Sequence, residues 1–211
     1  MAVKAVTAST TVGIGKSAGW TRTIVLALVT LIALSPILVI FGLALRPRLY
    51  SDVTGPTLET FVYVIRNTDI LVWLKNSLIV SVIASCLALF VAAPAGYVLS
   101  RARGGAVSLY SMLIFIIQSF PIVVFIIPLF IMLSRLGLVD TLAGVSIIYV
   151  ASSVSVACWM MAAYFDGIPT DLEEAAWIDG CSMFGAFLRI VLPNSLPGIL
   201  STAIYGFLVA W

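Results

Sequence analysis

Residues 76–100 read NSLIVSVIASCLALFVAAPAGYVLS, 25 positions without an Asp, Glu, Lys, Arg or His. A helix crossing a hydrocarbon core about 30 Å thick needs roughly 20 predominantly apolar residues, so this stretch is long enough to span a bilayer. Ser77, Ser81, Ser85, Ala88 and Ala92 recur within it at helical spacing, a face of small side chains of the kind membrane helices use for close contact. Four further runs are free of charge: Thr23–Leu45, Gly104–Ser134, Thr141–Phe165 and Ile190–Trp211, with 23, 31, 25 and 22 residues. Strands of a membrane barrel would be roughly ten residues long with alternating polarity, whereas a stretch such as Ile24–Leu34 does not alternate. The expected fold class is therefore all-α, a polytopic transmembrane helical protein with five visible spans.

Composition agrees. The 211 residues are 62% hydrophobic and 9% charged, with mean hydropathy +1.19, far from a soluble domain at about half apolar and a quarter charged. Eleven basic against nine acidic residues, scattered along the chain, make no nucleic-acid surface. Histidine is absent, and Cys86, Cys158 and Cys181 are too far apart for a metal site or a disulfide framework. No metal and no cofactor is expected. The runs contain no base, carboxylate or metal ligand, which disfavours an intramembrane enzyme; a channel or secondary transporter would normally carry intramembrane charge or inverted repeats.

The third run would measure roughly 46 Å as one straight helix at about 1.5 Å per residue, and it contains Pro121 and Pro128. A kink is expected between Gln118 and Pro121, because proline removes a donor and clashes with the preceding turn. Residues 1–22 carry Lys4, Lys16 and Arg22 without an acid and read as a cytoplasmic N-terminal tail before an uncleaved first helix. The stretch Gly13-Ile14-Gly15-Lys16-Ser17 is no phosphate loop, since Thr10 stands where the leading glycine belongs. Basic residues split six against five between the two sides. The acid-free tail and the short Arg101-Ala102-Arg103 loop place the N-terminus inside.

Between the last two runs, Asp166, Asp171, Glu173, Glu174 and Asp179 gather five of the nine acids into fifteen residues. This segment lies outside the lipid. Thr170 with Glu173 has the form of a capping box, the acids sit at the positive end of a helix dipole, and Gly180 suits a left-handed closing residue. A second helix is expected from Met183 to Leu192, ending at Pro193, with Asn194, Ser195 and Pro197 returning the chain to the membrane.

Glu174-Ala175-Ala176, three residues, Gly180, nine residues, Ile190, one residue, Leu192-Pro193 resembles the signature loop of the permease subunits of binding-protein-dependent ABC importers. Asn76-Ser77-Leu78, Ile127-Pro128-Leu129, Leu136-Gly137-Leu138, Asp140-Thr141 and Ile168-Pro169 are similar to the carbohydrate-type, MalG-like branch. The resemblance covers Thr23–Trp211. It implies a permease domain over 23–211, with a coupling loop at 166–195 bearing a cytoplasmic coupling helix. Six spans are the family pattern, so five spans ending at Trp211 read as a C-terminally incomplete domain. The implied partners are a related second permease, most simply in a heterodimer, two cytoplasmic ATPase subunits and an extracytoplasmic solute-binding protein, in a bacterial or archaeal cytoplasmic membrane. Such a chain is no enzyme itself, because ATP hydrolysis belongs to the ATPase.

The implied solute is a sugar or sugar-like compound, with glycerol phosphate, a polyamine or an amino acid as alternatives, because the loop is shared across importers. Glu174, Ala175, Ala176, Gly180, Ile190, Leu192 and Pro193 are the expected ATPase-coupling residues. Small side chains at Ala175 and Ala176 admit a partner surface, and Glu174 offers a carboxylate to a basic one. Gln118, Ser81, Ser85, Ser152 and Ser155 are the candidate pathway residues. Tyr97, Trp159 and Tyr164 are candidates for stacking on sugar rings, against the ordinary anchoring role of membrane aromatics.

Overall fold

The structure is a computed structural model and describes residues 16–47 and 54–211. Among these residues every regular element is helical. The chain divides into two units, residues 1–70 and 71–211.

In the first unit, α1 (Lys16–Ala44) begins inside the stretch read as a tail and carries Lys16 and Arg22 on its first two turns. Residues 1–15 lie outside the described residues. Pro36 deprives the Ile32 carbonyl of its helical donor, and the Ser35 hydroxyl supplies a replacement at 2.8 Å. Helix α2 (Glu59–Asn67) follows a turn in which the Thr57 N–H donates to the Leu45 carbonyl at 2.8 Å.

The second unit is built from α3 (Ile70–Arg101), α4 (Gly105–Ser119), α5 (Ile126–Arg135), α6 (Leu142–Asp166), α7 (Asp171–Ile178), α8 (Met183–Asn194) and α9 (Leu196–Ala210). Helices α3, α6 and α9 meet through small residues. At Gly96 a β-carbon would stand 2.8 Å from Met161 Cβ and 2.9 Å from both the Ala162 nitrogen and the Cys158 carbonyl, so the α3 and α6 backbones cross in contact there. At Gly206 it would stand 3.3 Å from Ser85 Cα, and the Ser85 hydroxyl donates to the Ala203 carbonyl at 2.6 Å. Dispersion between closely approaching backbones and such hydrogen bonds hold helices together where lipid removes the hydrophobic drive. The core gathers Ala92, Ala93, Met161, Phe165, Phe187 and Val191, near the Arg101 end of α3. Large apolar side chains such as Phe90 and Leu208 are exposed, as befits a protein whose solvent is lipid.

Three helices, Trp20–Ala44, Ile70–Arg101 and Leu142–Asp166, are long and apolar enough to cross a membrane, and two bent pairs bring the number to five. The third run is one such pair. Helix α4 stops at Ser119, Phe120 is extended at φ −80°, ψ 131°, and a 3₁₀ turn over Ile122–Phe125 precedes α5, for a bend of 86°. The break falls where Pro121 disfavours helical geometry in the residue before it. The fifth run is the other bent pair: its first part belongs to α8, which meets α9 at 77°, and the turn falls where Asn194, Ser195 and Pro197 are expected to return the chain to the membrane. The predicted stop at Pro193 falls one residue early, since α8 runs through it to Asn194.

Candidate functional site

Helix α7 stands between α6 and α8 on the segment that gathers the acids. Asp171, Glu173 and Glu174 occupy its first turn, where the helix dipole favours them. The expected capping box is not formed. Thr170 is in helical geometry without a side-chain cap, and Glu173 turns inward to other partners. The other end follows expectation in full. Gly180 is left-handed at φ +86°, its N–H donates to the Trp177 carbonyl at 3.0 Å, and the Cys181 N–H reaches the Ala176 carbonyl at 2.9 Å. These two bonds are a Schellman closure, and Gly180 supplies it because a β-carbon opposes that backbone angle.

Glu173 is 1% exposed, and both carboxylate oxygens are engaged. Arg101 Nε donates to Oε1 at 2.7 Å, and the Tyr97 hydroxyl donates to Oε2 at 2.5 Å. The rest of the Arg101 fork reaches the Ser100 hydroxyl and the Ile168 carbonyl, each at 3.0 Å, and Ser100 donates to Asp166 Oδ1 at 2.5 Å. A guanidinium suits this task because its donors are planar and pre-organised, where a lysine offers a point charge. Burying a carboxylate is costly unless it is paired and hydrogen-bonded, and removing one partner of such a pair typically costs about 3–5 kcal/mol. The ends of α3 and α6 and the first turn of α7 are thus tied at one point.

Helix α8 completes the support. Ser182 caps it by accepting the Gly185 N–H at 3.1 Å. Its middle, Phe187–Val191, is π-helical, a widening that makes room ahead of Pro193. Asn194 Nδ2 donates to the Ile190 carbonyl and the Ser195 hydroxyl to the Val191 carbonyl, both at 2.6 Å, so side chains serve carbonyls where the ladder is disturbed. Phe187 is buried against Tyr97, with ring centroids 4.8 Å apart, and against Phe165 at 6.1 Å.

The sequence-predicted coupling residues divide by face. Glu174, Ala175, Gly180 and Pro193 are exposed, Ile190 and Leu192 are half-buried, and Ala176 is buried. Ala176 thus packs the helix inward. Ile178, 86% exposed, joins the outward face. A cleft of about 280 Å³ lies between α7 and the end of α3, lined in part by Arg101, Thr170, Glu174 and Trp177. Sequence reasoning missed Arg101 and Glu173 as structural partners. The available signal was helical spacing: Glu173 lies three residues before Ala176 on one face, while Glu174 is turned about 100° away.

Of the pathway candidates, Gln118, Ser152 and Ser155 come together in a cleft of about 260 Å³ beside the break, with Phe120, Phe125 and Leu129. Ser81 and Ser85 do not join them. Both are buried in the helix packing, Ser85 bonded to Ala203 and the Ser81 hydroxyl without a partner among the described residues. Tyr97 is committed to Glu173, and Tyr164 packs on Gly198 with its hydroxyl 3.2 Å from Ser201 Oγ. The Tyr97 ring is thus taken up by the packing, while Tyr164 stays partly exposed.

A family model described as binding-protein-dependent transport system inner membrane component matches residues 85–211. The chain is 31% identical over 157 residues to the sulfoquinovosyl glycerol transport system permease protein SmoH of Agrobacterium fabrum, covering 74% of this chain and 55% of that protein. It is 30% identical over 202 residues to the arabinooligosaccharides transport system permease protein AraQ of Halalkalibacterium halodurans, covering 91% and 72%. The chain spans 55 to 59% of the length of several curated relatives. In fold it matches a chain of a bacterial ABC transporter involved in the import of the acidic polysaccharide alginate, with TM-score 0.74 at 22% identity, over 92% of this chain and 70% of that one.

Proposed function

The chain belongs to the family of binding-protein-dependent transport system inner membrane components, and from that premise we propose that it is a membrane permease subunit of an ABC importer. The chain forms part of the translocation path and is not itself an enzyme. The observation that carries this reading is the build of α7: an exposed face with Glu174, Ala175 and Ile178, on a helix closed at Gly180 and tied down by a buried Glu173. A permease that binds no nucleotide needs a rigid protruding element for a moving ATPase to grip, and this face supplies one. Glu174 meets a basic group of the ATPase, while Ala176, Phe187 and Val191 keep the segment packed on the membrane domain.

The permease domain covers 23–211, with its coupling loop at 166–195. Arg101 touches Glu173, so the Arg101–Arg103 loop and the coupling loop lie on one side of the membrane, and their basic residues support a cytoplasmic position for both. With α1 and α3 as successive spans, the N-terminus is cytoplasmic too. Two ATPase subunits, a related second permease and an extracytoplasmic binding protein complete the assembly. A sugar or sugar-like solute is the proposed cargo: two relatives are named for sulfoquinovosyl glycerol and arabinooligosaccharide transport. Gln118, Ser152 and Ser155 offer polar contacts along the path at the α4–α5 break.

The test is extraction of the tagged chain from its own host in mild detergent, with identification of what accompanies it. An ATPase and a related permease in the same particle are expected. A particle without an ATPase refutes the importer reading.

A further inference from the structure

Side chains at the end of α3 hold the buried carboxylate of α7, beside the packing of α7 on α8, which follows it in sequence. Covalently, α7 hangs between two turns: Gly167–Thr170 on one side and left-handed Gly180 with Cys181 and Ser182 on the other. Tyr97 and Arg101 stand one helical turn apart on the same face of α3, and between them they take both oxygens of Glu173. Tyr97 also packs against Phe187 of α8, the rings tilted by 42°, so the element after α7 bears on the same turn of α3. Arg101 holds the Ile168 carbonyl in the linker before α7, and Ser100 holds Asp166 at the end of α6.

We propose that Arg101 and Glu173 are a positioning pair that makes α7 and the last turn of α3 one mechanical body, so that thrust received by α7 enters the membrane through α3. This rests on the importer reading and adds the route by which work travels. A buried carboxylate with both oxygens bonded cannot slide or rotate without leaving its partners unpaired in a medium of low polarity. The latch therefore resists motion of α7 relative to α3. Helix α3 in turn meets α6 at Gly96 and α9 at Gly206, so its displacement is passed on by close backbone contact.

The experiment uses the full chain purified with its accompanying ATPase. Cys86, Cys158 and Cys181 are replaced, and spin labels are placed at the exposed positions Ile178 on α7 and Phe90 on α3. The distance between labels is read without nucleotide and with a non-hydrolysable ATP analogue. With the latch intact, the two states agree within about 2 Å, the scale of small helix shifts. In Arg101→Lys or Glu173→Gln, the distance differs between states by about 5 Å or its distribution at least doubles in width, roughly one helical turn of freedom. Tyr97→Phe, which removes one hydroxyl, gives a smaller broadening and serves if the charged variants do not accumulate. A wild-type distance that changes with nucleotide overturns the proposal, as do unlatched variants that keep a narrow, nucleotide-independent distance. Failure of the importer reading shows separately, as a particle without ATPase, and removes the premise.

Discussion

Replacing Gly96 by alanine should loosen the membrane domain more than any other single added methyl in the α3 stripe. The new β-carbon would lie 2.8 Å from Met161 Cβ and 2.9 Å from two backbone atoms of α6, where nothing can rotate aside. The helices must part by several tenths of an ångström, which forfeits dispersion along the whole contact. Overpacking of this kind costs about 1–3 kcal/mol, roughly a 5- to 150-fold loss in the folding equilibrium. Two other glycines calibrate the argument. Gly206→Ala meets Ser85 at 3.3 Å and should cost less, while Gly42→Ala in α1 meets nothing within 4 Å and should cost nothing. The assay is thermal unfolding of the detergent-purified protein, followed by loss of monodisperse particles with temperature. The predicted order of midpoints is Gly42→Ala equal to wild type, then Gly206→Ala, then Gly96→Ala lowest. A Gly96→Ala protein as stable as Gly42→Ala would refute the claim that α3 and α6 cross in backbone contact.

Glu174→Arg and Gly180→Pro should each abolish uptake while the chain still accumulates in the membrane, the first by reversing a docking charge and the second by destroying the closure at φ +86°; solute uptake by cells beside immunodetection in membranes checks both. Ser81→Ala should be neutral or stabilising by up to about 1 kcal/mol, because the hydroxyl it removes is buried without a partner among the described residues, and the same thermal assay shows it. Gln118→Ala should lower the rate of uptake several-fold with the particle intact, measured as initial uptake rates at matched protein levels.

The long helices were legible because a bilayer asks for a simple pattern. The absence of charge over 76–100 and 141–165 marks α3 and α6, and the small-residue face of α3 gave its buried side before any contact was known. Pro121 disclosed the break between α4 and α5 for the same reason of local chemistry. Gly180 disclosed the closure of α7. What stayed hidden was tertiary. Thr170 and Glu173 satisfy a local capping pattern, but an arginine 72 residues away in sequence competes for that carboxylate and wins, since a charged fork in a buried site outweighs a single backbone N–H. Tyr97 reads as an aromatic of the pathway until Glu173 and Phe187 are placed around it. The fifth run carries no charge, and hydropathy alone does not place the 77° bend between α8 and α9; Pro193, Asn194, Ser195 and Pro197 do mark where the chain turns, but not its angle. Ser81 and Ser85 show the same limit: spacing put them on one face, and only the position of α9 says that the face is filled.

The account turns on the outward face of α7 being the surface the ATPase grips, and site-specific photocrosslinking tests it most directly. A photoreactive residue is placed at Ala175 or Ile178 in the membrane-embedded chain, with Leu208, exposed on α9, as the control position. The account predicts that irradiation joins the ATPase to the chain from Ala175 and Ile178 and not from Leu208. Capture of the ATPase from Leu208, or its absence from both positions on α7 in a particle that contains it, would contradict the account.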